Sequence, residues 1–499
     1  MSVLRGKGRA ALAVVLLIAA LNPAFSSPSE DDDPPRSSAV GGQVLWQTNG
    51  VALSLADDYQ GAPRLAPDGA GGVIAVWTDT RPTADGADIY AQRLDAAGTA
   101  LWAANGIPVA SAANNQTEPQ AISDGAGGAL VAWNDERGAR IAVYAQRLDP
   151  AGKALWAGAG ISVTAGASDF LLAQLVPDGS GGAFVIWEED ANPDRFDTNL
   201  FAQRISATGA LQFTAPVTIT VAPGEQFDAV ATADGSGGCI VVWADLRDAG
   251  DQNLYAQRIA GNGAILWTAA GAAVSTDPAL QAVGPIVADG QGGVFVSWYD
   301  LRSSGTLADA YLMRVTAAGA RAWLNDLPVM ASSALTERPT DLVADGSGGV
   351  ILVAAASDPG NPAAGDVVAQ RVDADAALLW GAQPVTVTLW AEQQDSAAAT
   401  PDGHGGVYLA WRDRFNDLSG DIMAQHLNDL GAAQWAGHGV EIVTLTGAQD
   451  NLRVIGDDAQ GLIVAWQDYR SAPNHPDLFA QRVSDRYQII FPLIRKHSH

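Results

Sequence analysis

The segment from Gly72 to Thr78 puts Val73, Ala75 and Trp77 on one side of an extended chain and Ile74 and Val76 on the other. Both sides are apolar, so the period-two pattern predicts a strand covered on both faces. The same run returns along the chain, each time behind an Asp-Gly-x-Gly-Gly block. Its Asp falls at Asp68, Asp124, Asp178, Asp234, Asp289, Asp345, Asp402 and Asp457, at intervals of 54 to 57 residues, and the last copy is degraded, with Asp458 in place of the first Gly. Five residues after each block comes Trp77, Trp133, Trp187, Trp243, Trp298, Trp411 or Trp466, with Ala354 as the exception. A segment of the type Tyr-Ala-Gln-Arg follows, ending at Arg93, Arg147, Arg204, Arg258, Arg314, Arg371, His426 and Arg482. Nine residues beyond the first seven of these stands a second aromatic: Trp102, Trp156, Phe213, Trp267, Trp323, Trp380 or Trp435.

Each repeat reads as four strands. A short segment such as Pro119–Ser123 leads into the Asp-Gly turn, the doubly apolar strand follows, Ile89–Asp95 is the third, and Leu101-Trp102 opens the fourth after an Asp-x-x-Gly turn. Four-stranded repeats of this length mark propeller blades, with a solenoid as the competitor. The chain ends decide between them. The eighth repeat stops after Arg482 without its Trp-bearing strand, and the missing piece stands at the other end as Leu45-Trp46, then Gly50-Val51. Only a closed ring uses an N-terminal orphan in this way, and closure removes exposed edges. The expected fold is therefore all-β: an eight-bladed β-propeller with four-stranded blades, closed by an N-terminal strand that completes the last blade.

The blocks Asp68-Gly69-Ala70-Gly71-Gly72, Trp77-Thr78-Asp79-Thr80-Arg81 and Tyr90-Ala91-Gln92-Arg93-Leu94-Asp95 resemble a repeat of secreted bacterial propeller proteins of uncharacterised activity. The resemblance covers residues 44 to 485 and implies a fold, not an activity. Asp95-x-x-Gly98-x-x-x-Trp102 is similar to the tryptophan docking motif of eight-bladed quinoprotein dehydrogenases, with a turn one residue shorter. The adjacent cysteines of the alcohol-oxidising members are impossible with one Cys, so the likeness implies shared blade packing and not shared chemistry.

The ends carry other signals. Arg5, Lys7 and Arg9 precede an apolar run from Ala10 to Leu21, with Ala24 and Ser26 placed for cleavage. This is the layout of a signal peptide over 1–26, too short in its apolar part for a comfortable membrane span. Residues 27–43 read as an acidic, Pro-containing linker. Residues 486–499 form a tail, apolar then basic from Ile489 to Lys496, that resembles a C-terminal motif of some exported bacterial proteins and reads equally as a strap on the ring. The chain is expected outside the cytoplasm: secreted, cell-surface or periplasmic. Net charge is −27, and −30 once the first 26 residues and their three cations are removed. That excludes nucleic acid as an expected partner and disfavours anionic membrane surfaces. No membrane span is expected after cleavage, and the ring is read as a monomer. The lone Cys239, in an apolar strand, reads as a buried small hydrophobe.

The strongest polar motif is Trp-x-Asp-x-Arg at the end of the second strand, as Asp79/Arg81, Asp135/Arg137, Asp245/Arg247, Asp300/Arg302 and Asp468/Arg470. A motif in most blades is what packing demands, so an ion pair repeated between blades is the favoured reading. The alternative is a binding ring of Asp and Arg around one face. That face carries the 2–3 and 4–1 connections, which vary in length, and variable loops on a rigid scaffold carry specificity. Two blades break the pattern. Blade 3 has Glu188, Glu189, Asp190 and Asp194 in its 2–3 loop, a set of oxygens of the type that holds Ca²⁺, although a solvated acidic loop explains it as well. Blade 6 has Ala354-Ala355-Ala356 where the Trp belongs, which either opens a pocket or marks a worn repeat. No catalytic motif is apparent. The leading expectation is a secreted, non-catalytic binding or scaffold module for a protein or glycan, without a cofactor. The rivals are an enzyme acting on extracellular polysaccharide through two carboxyls and a calcium-stabilised adhesin.

Overall fold

The computed structural model describes residues 41–81, 86–190, 198–220, 222–248, 251–388, 393–414 and 419–485. The expected signal peptide, most of the linker and the tail at 486–499 lie outside the described residues. Within them the chain forms eight antiparallel sheets and no helix. Blade 1 is typical. Its strands are Gln60–Pro67, Val73–Asp79, Asp88–Leu94 and Ile107–Ala110, paired in sequence order as a meander. The first strands of successive blades touch one another all the way round, the first and eighth included, and so line the centre of a ring. The protein is an eight-bladed β-propeller.

Closure uses the N-terminal segment. Val51–Ser54 pairs with the third strand of blade 8, Asp477–Asp485, as that blade's fourth strand. Gly42–Val44 adds a second pairing, with Val483–Asp485. Leu45 N–H donates to the Arg482 carbonyl at 2.9 Å, matching Leu101 to Arg93 at 2.8 Å in blade 1.

The Asp-Gly block works through its carboxylate. Asp68 Oδ1 accepts from the N–H groups of Ala70 (2.9 Å) and Gly72 (2.7 Å). Gly69 and Gly71 have φ of +70° and +79°, and a Cβ on Gly72 would lie 2.2 Å from the Leu94 carbonyl. Two glycines supply the left-handed backbone and the third allows the close approach.

One expectation needs correction. The second aromatic does not open the fourth strand. Gln92 holds that segment in a loop: its Oε1 accepts from Trp102 N–H and its Nε2 donates to the Ala103 carbonyl. The strand begins only at Ile107, and the freed indole reaches the next blade, where Trp102 Nε1 donates to the Pro150 carbonyl at 3.2 Å. In addition, every first strand carries a register shift that the sequence pattern did not reveal. At five of these bulges a non-glycine residue takes positive φ: Ala62, Glu118, Asp228, Ser396 and Asn451, at 50–54°. Bulges re-aim side chains, and here they sit on the strands that line the channel.

Candidate functional site

In each Trp-x-Asp-x-Arg group the Arg pairs first with the Asp of its own blade, which corrects the expectation of ion pairs between blades as the motif's main contact. In blade 1 the buried Asp79 accepts from Trp77 Nε1 (2.8 Å), from Arg81 N–H (2.9 Å) and from the Arg81 guanidinium (2.6 Å). The guanidinium then lies 3.7 Å over the Tyr90 ring. Arg137 does not reach a neighbouring blade either. It pairs with Asp135 at 2.5 Å, donates to the Ala159 carbonyl of its own blade at 2.9 Å, and lies 4.0 Å over the Tyr144 ring. Arg247 pairs with Asp245 at 2.6 Å over Tyr255, and Arg302 with Asp300 at 2.5 Å over Tyr311, while Arg302 also reaches back to Ser275 Oγ of blade 4 at 3.3 Å. Arg470 likewise stays within blade 8, contrary to the expected contact between blades. It pairs with Asp468 at 2.5 Å, donates to the carbonyl of Asn49 in the closing segment at 2.9 Å, and lies 3.8 Å over the Phe479 ring. The physical reason is spacing: Asp and Arg two residues apart at a strand end meet at shorter range than either meets an adjacent blade. Each Arg neutralises its own Asp while stacked on a ring, which leaves few donors for a ligand. The bond between blades comes instead from the Arg of Tyr-Ala-Gln-Arg. Arg93 pairs with Asp68 of its own turn at 3.0 Å and donates to the Pro150 carbonyl of blade 2 at 2.8 Å.

The acidic run of blade 3 is strand, not loop, as far as Asp190. Strand geometry sends Glu188 and Glu189 to opposite faces. Glu189 Oε1 accepts from Ser168 Oγ at 2.8 Å, and Asp190 is buried. Asp194 lies outside the described residues. Among the described residues no group of three or more His, Cys, Asp or Glu is placed to hold a metal ion. At the Ala354 substitution in blade 6 apolar neighbours close over the missing ring. Ala354 is buried in a cluster with Leu352, Leu342 and Val368, and the hairpin there is extended to Asp358 and Asn361.

The described residues form a cavity of about 330 Å³ on the face of the 2–3 and 4–1 connections, between blades 7 and 8. Asp450 and Tyr469 line it, with Ser419, Gly447, Ala448 and Pro473. Asp450 is the second residue of the inner strand of blade 8, and Asp395 holds the same place in blade 7. Arg412 sits between them, 2.6 Å from Asp395 and 3.9 Å from Asp450. The two carboxyls are pushed apart. Burial would raise Asp395, but Arg412 and Arg414 hold it below the usual range. Burial and the charge of Asp395 raise Asp450 despite Arg412. Asp450 Oδ1 is buried and without a hydrogen bond. Burial, with Asp450 and Tyr59 nearby, pushes the Tyr469 phenol up to about 12.

Three residues deeper on the same inner strand is Arg453, and Arg64 has the equivalent position in blade 1. They donate to the carbonyls of Leu452 and Pro63. Burial and the charge of Arg64 bring Arg453 down to about 10, with Asp341 and Glu118 opposing. The channel therefore carries charges of both signs. Spacing could not place them, because the bulge sets which inner-strand side chains turn inward.

A second cavity, of about 260 Å³, opens on the opposite face at the closure seam, lined by Asp402, His404, Tyr408, His426 and Asp485 among others. His426 joins Asp402 (3.0 Å) to Asp485 (3.2 Å), and Tyr408 and Trp435 both donate to Asp485. Burial alone would lower the imidazole, but the two carboxylates hold it above its ordinary value.

No family model matches this sequence, and no curated protein does. Among solved structures, the chain is similar to the BP39L lectin from Burkholderia pseudomallei, at 12% identity over 77% of this chain and 100% of that one, with a TM-score of 0.47. It is similar to an ulvan lyase of polysaccharide lyase family PL25, at 14% identity over 88% and 98%, TM-score 0.41. It is also similar to a puromycin hydrolase, at 14% identity over 85% of this chain and 61% of the hydrolase, TM-score 0.46. What is settled for this chain is its architecture, a β-propeller of eight four-stranded blades.

Proposed function

We propose that this chain is an exported, non-catalytic binding propeller that engages a glycan or protein on the face of its 2–3 and 4–1 connections, at the cavity between blades 7 and 8. The observation that carries the reading is the buried, unpartnered Asp450 Oδ1 beside Tyr469 in that cavity. An aromatic ring beside a carboxylate that lacks a donor suits a ligand presenting hydroxyl or amide N–H groups. The volume falls at the lower end of the range of small-ligand sites. A rigid ring whose Asp–Arg pairs are satisfied within their own blades supports a scaffold role. Glycan-array and pull-down screening with the purified ring tests the proposal. Once a ligand is found, Asp450→Ala and Tyr469→Ala should each weaken it at least tenfold. Unchanged affinity in both variants would remove the site from consideration.

One observation favours a second reading. Asp395 and Asp450 are neighbouring carboxyls with opposite shifts, the pattern that assigns a base and an acid in polysaccharide-cleaving sites. The Arg412 clamp on Asp395 argues against it, since it ties up the carboxylate meant to act. Turnover of a polysaccharide panel that disappears in Asp450→Asn would establish the enzyme reading in place of the binding one.

A further inference from the structure

The junction of blades 5 and 6 brings together two acids, Asp309 and Glu337, and Glu337 stands where most blades carry an amide. In six of the other seven blades the inner strand begins at a Gln: Gln60, Gln116, Gln226, Gln281, Gln394 and Gln449. This amide donates into the preceding 4–1 loop, as Gln281 Nε2 does to the Asp277 carbonyl and Gln449 Nε2 to that of Gly447. Blade 6 has Glu337, which has no such donor. Its carboxylate instead accepts from Ser332 N–H at 2.8 Å.

Glu337 is placed against a second carboxylate. Its N–H donates to the Ala308 carbonyl at 2.6 Å, and the next residue is Asp309, first in the third strand of blade 5. Asp309 is 1% exposed and Glu337 is 4% exposed. Both carboxylate oxygens of Asp309 are buried without a hydrogen bond of ordinary length, and the nearby Ser303 hydroxyl offsets only part of its burial. Directly across the ladder stands Asp300, itself bonded by Arg302 and Trp298. Arg302 is engaged by Asp300, Asp326 and Asp277, and among the described residues no cation pairs with Asp309 or Glu337. Burial pushes both acids upward, and the charge of Asp309 pushes Glu337 further.

Two buried carboxylates without a counter-charge are strongly unfavourable. A proton shared between them, or a bound cation, relieves the penalty. The donors at hand are oxygens: the two carboxylates and the Ser303 hydroxyl close to Asp309. Among the described residues no nitrogen or sulfur ligand is shown beside these acids to favour a transition metal. Carboxylate and hydroxyl oxygens between loop connections suit Ca²⁺, which accepts six to eight oxygens, water included, in irregular geometry, better than Mg²⁺. We propose that the junction of blades 5 and 6 is a structural calcium site, with Asp309 and Glu337 as its acidic ligands. The site is separate from the acidic run at Glu188–Asp190 and does not rest on the proposed binding role.

The test is calorimetric titration of Ca²⁺ into chelator-treated protein, with melting curves in Ca²⁺, Mg²⁺ and EDTA. One ion should bind per ring, and millimolar Ca²⁺ should raise Tm by several degrees, with Mg²⁺ doing less. Glu337→Gln restores the residue of the other blades and should fold, while losing at least tenfold in calcium affinity. Asp309→Asn should lose as much. Absence of heat and of any Tm shift in the wild type overturns the proposal, as does a calcium response that survives in both variants. A wild-type Tm that ignores calcium but rises on acidification, with Glu337→Gln lacking the rise, would assign a shared proton instead.

Discussion

The junction of blades 1 and 2 and the junction of blades 7 and 8 do the same work with different chemistry. At the first, Arg93 and Trp102 of blade 1 both donate to one acceptor, the main-chain carbonyl of Pro150 in the next blade's 3–4 turn. Arg147 and Trp156 meet on the Ala207 carbonyl, Arg371 and Trp380 on that of Asp429, and Arg482 and Trp46 on that of Ala96. At the seam blade 8 has no such turn, because its fourth strand comes from the other end of the chain. The Asp485 carboxylate takes over as acceptor, and His426 replaces the Arg. An ordinary junction thus relies on an acceptor that substitution cannot remove. The seam relies on a side chain that it can.

That contrast sets an order of expected effects. Removing residues 41–55 should be the most severe change, because it takes away two strand pairings and the buried Trp46 and Leu53. A loss on the order of 5 kcal/mol is expected, comparable with the whole stability of many domains. A circular permutant carrying that segment after Asp485 should melt like the wild type; if it does not, the seam is more than a pairing of strands. Next, Asp485→Ala should cost about 2–3 kcal/mol, since it leaves His426, Trp435 and Tyr408 without their shared acceptor. Pro150→Ala, at the matching place in an ordinary junction, should stay within about 0.5 kcal/mol in the same denaturant titration. Removing only the indole N–H sharpens the comparison. Trp435→Phe, which loses a bond to a carboxylate, should cost about 2 kcal/mol, and Trp102→Phe, which loses one to a neutral carbonyl, about 1 kcal/mol. Equal losses would mean that the seam carboxylate contributes no more than a main-chain carbonyl does.

The smallest effect is a pH dependence. His426 is raised, so its contribution is full below the ordinary value of about 6.5 and fades as pH climbs through the raised one. Asp402 and Asp485 are depressed, because His426 and the other donors outweigh their burial; their contribution is present above about pH 4 and is lost as pH falls below it. The seam should be firmest between these limits. His426→Arg should flatten the decline in Tm between about pH 7 and 9, and an unchanged slope would show that another group controls it.

The candidate site was legible only in outline. The sequence pointed to the face of the 2–3 and 4–1 connections, and the cavity with Asp450 and Tyr469 lies there. Neither residue belongs to a repeated motif, so no pattern singled them out. The motif that did stand out, from Asp79 and Arg81 in blade 1 to Asp468 and Arg470 in blade 8, ends in closed intrablade pairs. Repetition signals packing, whereas Glu337 carried a faint signal of its own as the one Glu in a column of six Gln and one Asp (Asp169), visible only after the blades are aligned.

Repeat number, blade order and ring closure follow from the sequence alone. An apolar period, a glycine turn and a displaced terminal strand are local or countable, and each has one stable solution. The tertiary structure alone decided which inner-strand side chains face the channel, which groups bridge blades, and where carboxyls meet without a counter-charge. Those outcomes depend on bulges and on the apposition of residues far apart along the chain, such as His426 with Asp485 or Asp450 with Arg412. Periodicity has no means of recording such distances.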